Sequence, residues 1–270
     1  TYKPTMCQPS RPSGDEPIDV PSGTVRPMEI GGAVAPGFEP VRDEFARNFA
    51  ERGEVGAACC VYRGGEPVVD LWGGTTEPGG EARYTDRTLQ MVASATKGAL
   101  AIVALRLAER GELDLDAPVA RYWPEFAAAG KERMPVRWLL SHQAGLPAIR
   151  RVLSSEEIAG WTAPVAELAA TAPAWEPGTD HGYHAITYGW LVGEVINRVT
   201  GTTCGQVFAE EVGRPLGLDL HIGLAAAEHH RVAPLIPPVP TSTPDELTVR
   251  LVDPGSLAHW AFLIPSGLFA

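Results

Sequence analysis

The sequence predicts an α/β (α+β) architecture in two parts, a helix-and-hairpin region followed by a mostly helical one. Three observations carry this. The runs "VGAACCVY" and "PVVDLWG" flank Arg63-Gly64-Gly65-Glu66, which reads as two strands joined by a tight turn. Val41, Phe45 and Phe49 recur every four residues, giving one apolar helix face that ends near Gly53. Around Ser94 the two-residue period gives way to helical spacing.

Taken in order, residues 1–35 form an expected extended arm, since residues 1–30 hold six prolines and no hydrophobic periodicity. Residues 36–110 form the α/β part. Within it Thr88 to Ala93 is an extended lead-in, and "SATKGALAIVALRLAER" is a helix closed by Gly111. Its first three turns are apolar on nearly every side, which predicts a buried helix with Ser94 and Lys97 inside the protein or at the floor of a cleft. Residues 111–240 form the mostly helical region, with "PVRWLLSHQAGLP" and "TYGWLVGEVINRVTG" among its helical stretches, and 241–270 begin a return to the α/β part. The chain shows no internal repeat and no long linker.

With 270 residues, 44% hydrophobic and 20% charged, the chain has enough apolar mass for a full core. A formal net charge of -11 argues against nucleic acid or an anionic membrane as partner, because both need clustered Lys and Arg. No apolar run of membrane-spanning length and no targeting signal is visible, so a cytoplasmic location is expected, with secretion after leader removal as the alternative. Cys7, Cys59, Cys60 and Cys204 show neither metal-ligand spacing nor a disulfide framework and read as free thiols. His181 with His184, or His229 with His230, lack a carboxylate or cysteine at ligand spacing, so ordinary loop histidines are expected and neither metal nor cofactor is implied. Trp123, Trp138 and Trp190 read as core.

Lysine occurs only at Lys3, Lys97 and Lys131 among 22 basic residues. Arginine stays protonated at any working pH, whereas a desolvated lysine can exchange a proton. Ser94 and Lys97 stand three apart, so on a helix they share a face within hydrogen-bonding reach, and the lysine can activate the hydroxyl as a nucleophile. A Ser-x-x-Lys match alone is better read as a capping serine followed by a surface lysine; the apolar helix behind it and the scarcity of lysine turn the reading toward chemistry. No Gly-x-Ser-x-Gly occurs, which disfavours an α/β-hydrolase elbow. "LLSHQAGLP" reads as a helix end with a glycine cap rather than as a catalytic Ser141-His142 pair.

The ordered set of Ser94-x-x-Lys97, "LLSHQAGLP" at 139–147, Pro177-Gly178 followed by Tyr183, and "PLGL" at 215–218 resembles the serine β-lactamase and penicillin-binding-protein superfamily. Within it the chain is most similar to the class C-like branch of family VIII carboxylesterases and related acyltransferases, over roughly Pro36 to Pro238. The resemblance implies a β-lactamase-like fold, an antiparallel sheet flanked by helices with a mostly helical region. It further implies Ser94 as the acylated nucleophile, Lys97 and Tyr183 as joint proton acceptor, and the backbone N–H of Ser94 as an oxyanion donor. The β-lactamase pattern Tyr-x-Asn stands here as Tyr183-His184-Ala185, which places Ala185 in the pocket lining and favours esters over β-lactams. The third motif of the family, a Lys-Thr-Gly or His-x-Gly strand, is expected beyond residue 270, so the sequence reads as C-terminally incomplete.

A serine acyl hydrolase of the carboxylesterase type, acting on a small-molecule ester or acyl donor, is the reading these residues favour. Transfer of the acyl group to an alcohol or amine shares the same acyl-enzyme. β-Lactamase or D-Ala-D-Ala peptidase activity is disfavoured by Ala185, and a non-catalytic binding module by the intact Ser94, Lys97 and Tyr183. Oligomeric state is not legible.

Overall fold

The structure is a computed structural model that describes residues 29–237 and 245–263, and the chain divides into two compact units, residues 1–88 and 89–270. Most of the expected N-terminal arm, Cys7, and parts of the expected C-terminal return lie outside the described residues.

The first unit carries β1 (Ile30–Val34), α1 (Glu39–Glu51), β2 (Gly56–Arg63) and β3 (Glu66–Gly74), with the strands in the order β1-β3-β2, all antiparallel. The expected hairpin is β2 and β3. Gly64 and Gly65, at φ 61° and 87°, supply the two positive φ values of a two-residue turn whose twist matches its strands. The expected helix is α1, whose Phe45 packs on Val69 and Leu71 of β3, with Val41 and Phe49 beside it. Strand β1 falls in the expected arm, because Gly31, Gly32 and Ala33 interrupt the strand-forming Ile30 and Val34. Glycine is needed there for another reason: a Cβ on Gly32, at φ 88°, would come within 1.9 Å of the Asp70 carbonyl oxygen.

The second unit begins with β4 (Leu89–Gln90) and α2 (Thr96–Glu109), and continues through α3 (Val136–Leu140), α4 (Ser155–Ala159), α5 (Thr162–Ala170), α6 (Thr187–Thr200) and α7 (Cys204–Phe208). It closes with β5 (Val232–Ala233), parallel to β4, then α8 (Glu246–Val252) and α9 (Leu257–Phe262). Its core is built around α2 and α6. Ala99, Leu100, Val103, Ala104 and Leu107 of α2 are buried among Tyr188, Leu191, Val195 and Ile196 of α6, and each fully buried leucine or valine contributes about 1.5–3 kcal/mol. The expectation that α2 is buried all round is corrected: Ile102 and Leu105 are 48% and 53% exposed. Composition alone does not tell which flank of an apolar helix finds a neighbour.

Trp123 and Trp190 are core residues, and Trp138 packs against the core. Lys131 is fully buried, its Nζ donating to the carbonyl oxygens of Ala128, Ala169 and Thr171 at 2.8, 2.9 and 2.6 Å. All three of its N–H groups are thus used within the fold. Among the described residues no helix is long and apolar enough to cross a membrane.

Candidate active site

Ser94 lies in a single 3₁₀ turn, Ala93–Ala95, that runs directly into α2. The turn is entered through Ala93 at φ 43°, a left-handed conformation that costs an alanine about 1–2 kcal/mol and turns the chain sharply ahead of the serine. Ser94 is exposed, while Lys97, one turn on, is half-buried rather than buried as expected. Lys97 Nζ donates to Ser94 Oγ at 2.9 Å and to the carbonyl oxygen of Ala185 at 2.7 Å. The ammonium also stands 4.8 Å from the Tyr183 ring centroid and 5.8 Å from that of Tyr188, inside the range of cation–π attraction.

Tyr183 is 43% exposed on the loop before α6. Burial raises its phenol pKa, but hydrogen bonding with Ser94 and Lys97 and the charge of Lys97 outweigh that, and the net shift is below the ordinary tyrosine value. Ala185 is buried, and its main-chain carbonyl holds Lys97.

Residues 142–146 form a rail for the Tyr183 loop. Ala174 N–H donates to Gly145 O at 2.7 Å, Gly178 N–H to Gln143 O at 3.0 Å, and Gly182 N–H to His142 O at 3.1 Å. His184 is fully buried between the two segments: its Nε2 accepts the Leu146 N–H at 3.0 Å, its Nδ1 donates to Gly182 O at 2.6 Å, and its own N–H donates to His142 Nδ1 at 3.1 Å. Burial is the main force pulling the His184 pKa down to about 4, against the Gly182 hydrogen bond, so the ring is neutral at ordinary pH.

"LLSHQAGLP" is a helix end as expected, but the residue that closes α3 is not glycine. His142 takes the left-handed position at φ 62°, and Gln143 N–H bonds back to Trp138 O at 2.9 Å. Ser141 is occupied locally by Arg137 O and Gln143 Oε1. Sequence reasoning missed His142 and Tyr188 as neighbours of the cluster; the signal available was that "SHQAG" belongs to the same ordered motif set as Ser94 and Tyr183. Phe262 of α9, whose ring is 6.1 Å from Tyr183, carried no sequence signal.

Among the described residues no group of three metal-capable side chains converges, and His229 and His230 bond to the Leu224 and Ala227 carbonyls instead. His221-Ile222-Gly223 has the letters of a His-x-Gly motif but lies in an irregular loop, with His221 Nε2 paired to Asp219 at 2.9 Å.

An exposed serine at the mouth of a helix, bonded to a lysine that a tyrosine overhangs, is an arrangement for activating a nucleophile. The sequence model of the β-lactamase family matches residues 42–266, and the chain belongs to that family. It is 41% identical over 77% of its length to the esterase/β-lactamase LipL of Mycobacterium tuberculosis, covering 49% of that protein. Among solved structures, a penicillin-binding-protein homologue from Caulobacter crescentus aligns with a TM-score of 0.79 at 39% identity, over 90% of this chain and 64% of that one. A family VIII carboxylesterase aligns with a TM-score of 0.73 at 48% identity, over 77% of this chain and 57% of that one. The fold is β-lactamase-like, mixed helix and sheet. The chain spans about half the length of the curated relatives it matches.

Proposed function

We propose that the protein is a serine acyl hydrolase that cleaves small carboxylic esters through an acyl-enzyme on Ser94. The observation that carries this reading is Lys97 Nζ, 2.9 Å from Ser94 Oγ, held at the same time by the Ala185 carbonyl and by the face of Tyr183. An ammonium in that setting stabilises a neighbouring phenolate, and the phenolate is the proton acceptor. Tyr183 takes the proton of Ser94 as Oγ bonds to the ester carbonyl carbon. The carbonyl oxygen becomes an oxyanion, with the Ser94 N–H as one donor to it. Collapse of the intermediate breaks the bond to the alcohol, which leaves with the proton from Tyr183. Water then attacks the acyl-enzyme, again losing a proton to Tyr183, and Ser94 regains it as the acid departs. An alcohol or amine in place of that water gives acyl transfer.

Hydrolysis of β-lactams is the second reading, supported by the esterase/β-lactamase name of the mycobacterial relative. Both readings run through Ser94. A fluorophosphonate probe is expected to form a one-to-one adduct on Ser94, and Ser94→Ala to lose both the adduct and the hydrolysis of p-nitrophenyl butyrate. Turnover that survives the substitution would remove the serine mechanism.

A further inference from the structure

His142 takes no part in the proton transfers described above, yet its setting is specific. It occupies the left-handed position at the end of α3, at φ 62°, where glycine would fit without strain. Its Nδ1 accepts the His184 N–H at 3.1 Å, so the neutral ring carries its hydrogen on Nε2. Its ring centroid is 5.1 Å from that of Tyr183 and 5.1 Å from that of Tyr188. Tyr183 sits on a loop and is 43% exposed, with the His142 and Phe262 rings and the Lys97 ammonium around its own ring.

We propose that His142 is a positioning residue for the reaction: its neutral imidazole, packed on the Tyr183 and Tyr188 rings, holds the Tyr183 hydroxyl against Ser94 and Lys97. The inference rests on the reading of Ser94, Lys97 and Tyr183 given above. The titratable groups facing His142 are Lys97 from α2, Tyr188 from α6, and His181, Tyr183 and His184 from the loop between. Burial first, then Lys97 and His181, disfavour the imidazolium and keep the ring neutral. Protonation would cancel the Nδ1 acceptor and set a second cation beside Lys97.

Two substitutions in the full-length protein test this. His142→Gly keeps the helix end, since glycine is at home at positive φ, but removes the ring. His142→Asn keeps both the helix end and an acceptor for the His184 N–H, again without the ring. With p-nitrophenyl butyrate the glycine variant is expected to lose about tenfold to a hundredfold in kcat per folded molecule, with KM changed less than about threefold, and to melt earlier than the native enzyme because the His184 N–H loses its acceptor. The asparagine variant is expected to fall between the glycine variant and the native enzyme. The proposal is overturned if the glycine variant keeps kcat within about twofold, if the loss lies in KM, or if the asparagine variant has native kcat. Tyr183→Phe is the control. Should it retain native turnover, the assignment of the base fails; should it be inactive beside a fully active glycine variant, only the role of His142 fails.

Discussion

Lys97 directs two of its N–H groups at two oxygens lying in different directions, Ser94 Oγ and Ala185 O, while its charge lies against two aromatic faces. A planar guanidinium, its donors fixed in a rigid fork, cannot reproduce that geometry. Lys97→Arg keeps the charge and is nonetheless expected to lower the rate of Ser94 acylation at least about a hundredfold, measured with a fluorophosphonate under single-turnover conditions; native rates in the arginine variant would show that charge alone suffices. The phenol of Tyr183 is depressed below its ordinary pKa of 10.0, the Ser94 and Lys97 contacts overcoming burial. As the proposed base it acts deprotonated, so kcat/KM is expected to rise as pH climbs through the folded pKa, with the rising limb below pH 10. A profile flat through the alkaline range would count against Tyr183 as base.

Two buried nitrogen groups that neither helix nor strand periodicity announces hold elements of the second unit together. His184 joins the Tyr183 loop to residues 142–146, and its pKa of about 4 stands below the ordinary 6.5. Between those values the unfolded chain takes up a proton that the folded chain refuses, so the contribution is complete above pH 6.5 and is lost as pH falls toward 4. The loss is on the order of 3 kcal/mol. Urea midpoints at pH 7 and 4.5 should differ accordingly, and His184→Gln should flatten that difference; an unchanged pH slope in the variant would contradict the assignment. Lys131 does similar work elsewhere, joining Ala128 to the end of α5 through Ala169 and Thr171. Lys131→Met would leave three acceptors unpaired and is expected to cost about 3 kcal/mol in urea unfolding, with turnover per folded molecule unchanged.

At the scale of the whole molecule, substrate choice is expected to follow Ala185, which offers a main-chain carbonyl to Lys97 and no carboxamide to an acylamino side chain. A substrate amide left without its partner loses about 1–3 kcal/mol, and a short acyl ester has no such group to lose. The ratio of kcat/KM for p-nitrophenyl butyrate to that for nitrocefin, on one preparation, should exceed about tenfold; a preference for nitrocefin would reverse the order of the two readings. The sequence by itself determined the parts governed by neighbours in the chain. Gly64-Gly65 dictates the hairpin turn, Val41, Phe45 and Phe49 share one face of α1, and three-residue spacing aligns Ser94 with Lys97. Its motif order points to the β-lactamase family. The tertiary structure decided what depends on contacts between distant segments. It makes β1 a strand despite two glycines, buries Lys131, exposes one flank of α2, and sets His142 against Tyr183 across 41 residues of chain. The physical reason is one of range. Spacing and backbone preference act within a few residues, whereas burial, the acceptors of an ammonium and the neighbours of a phenol are properties of whichever segments the fold brings together.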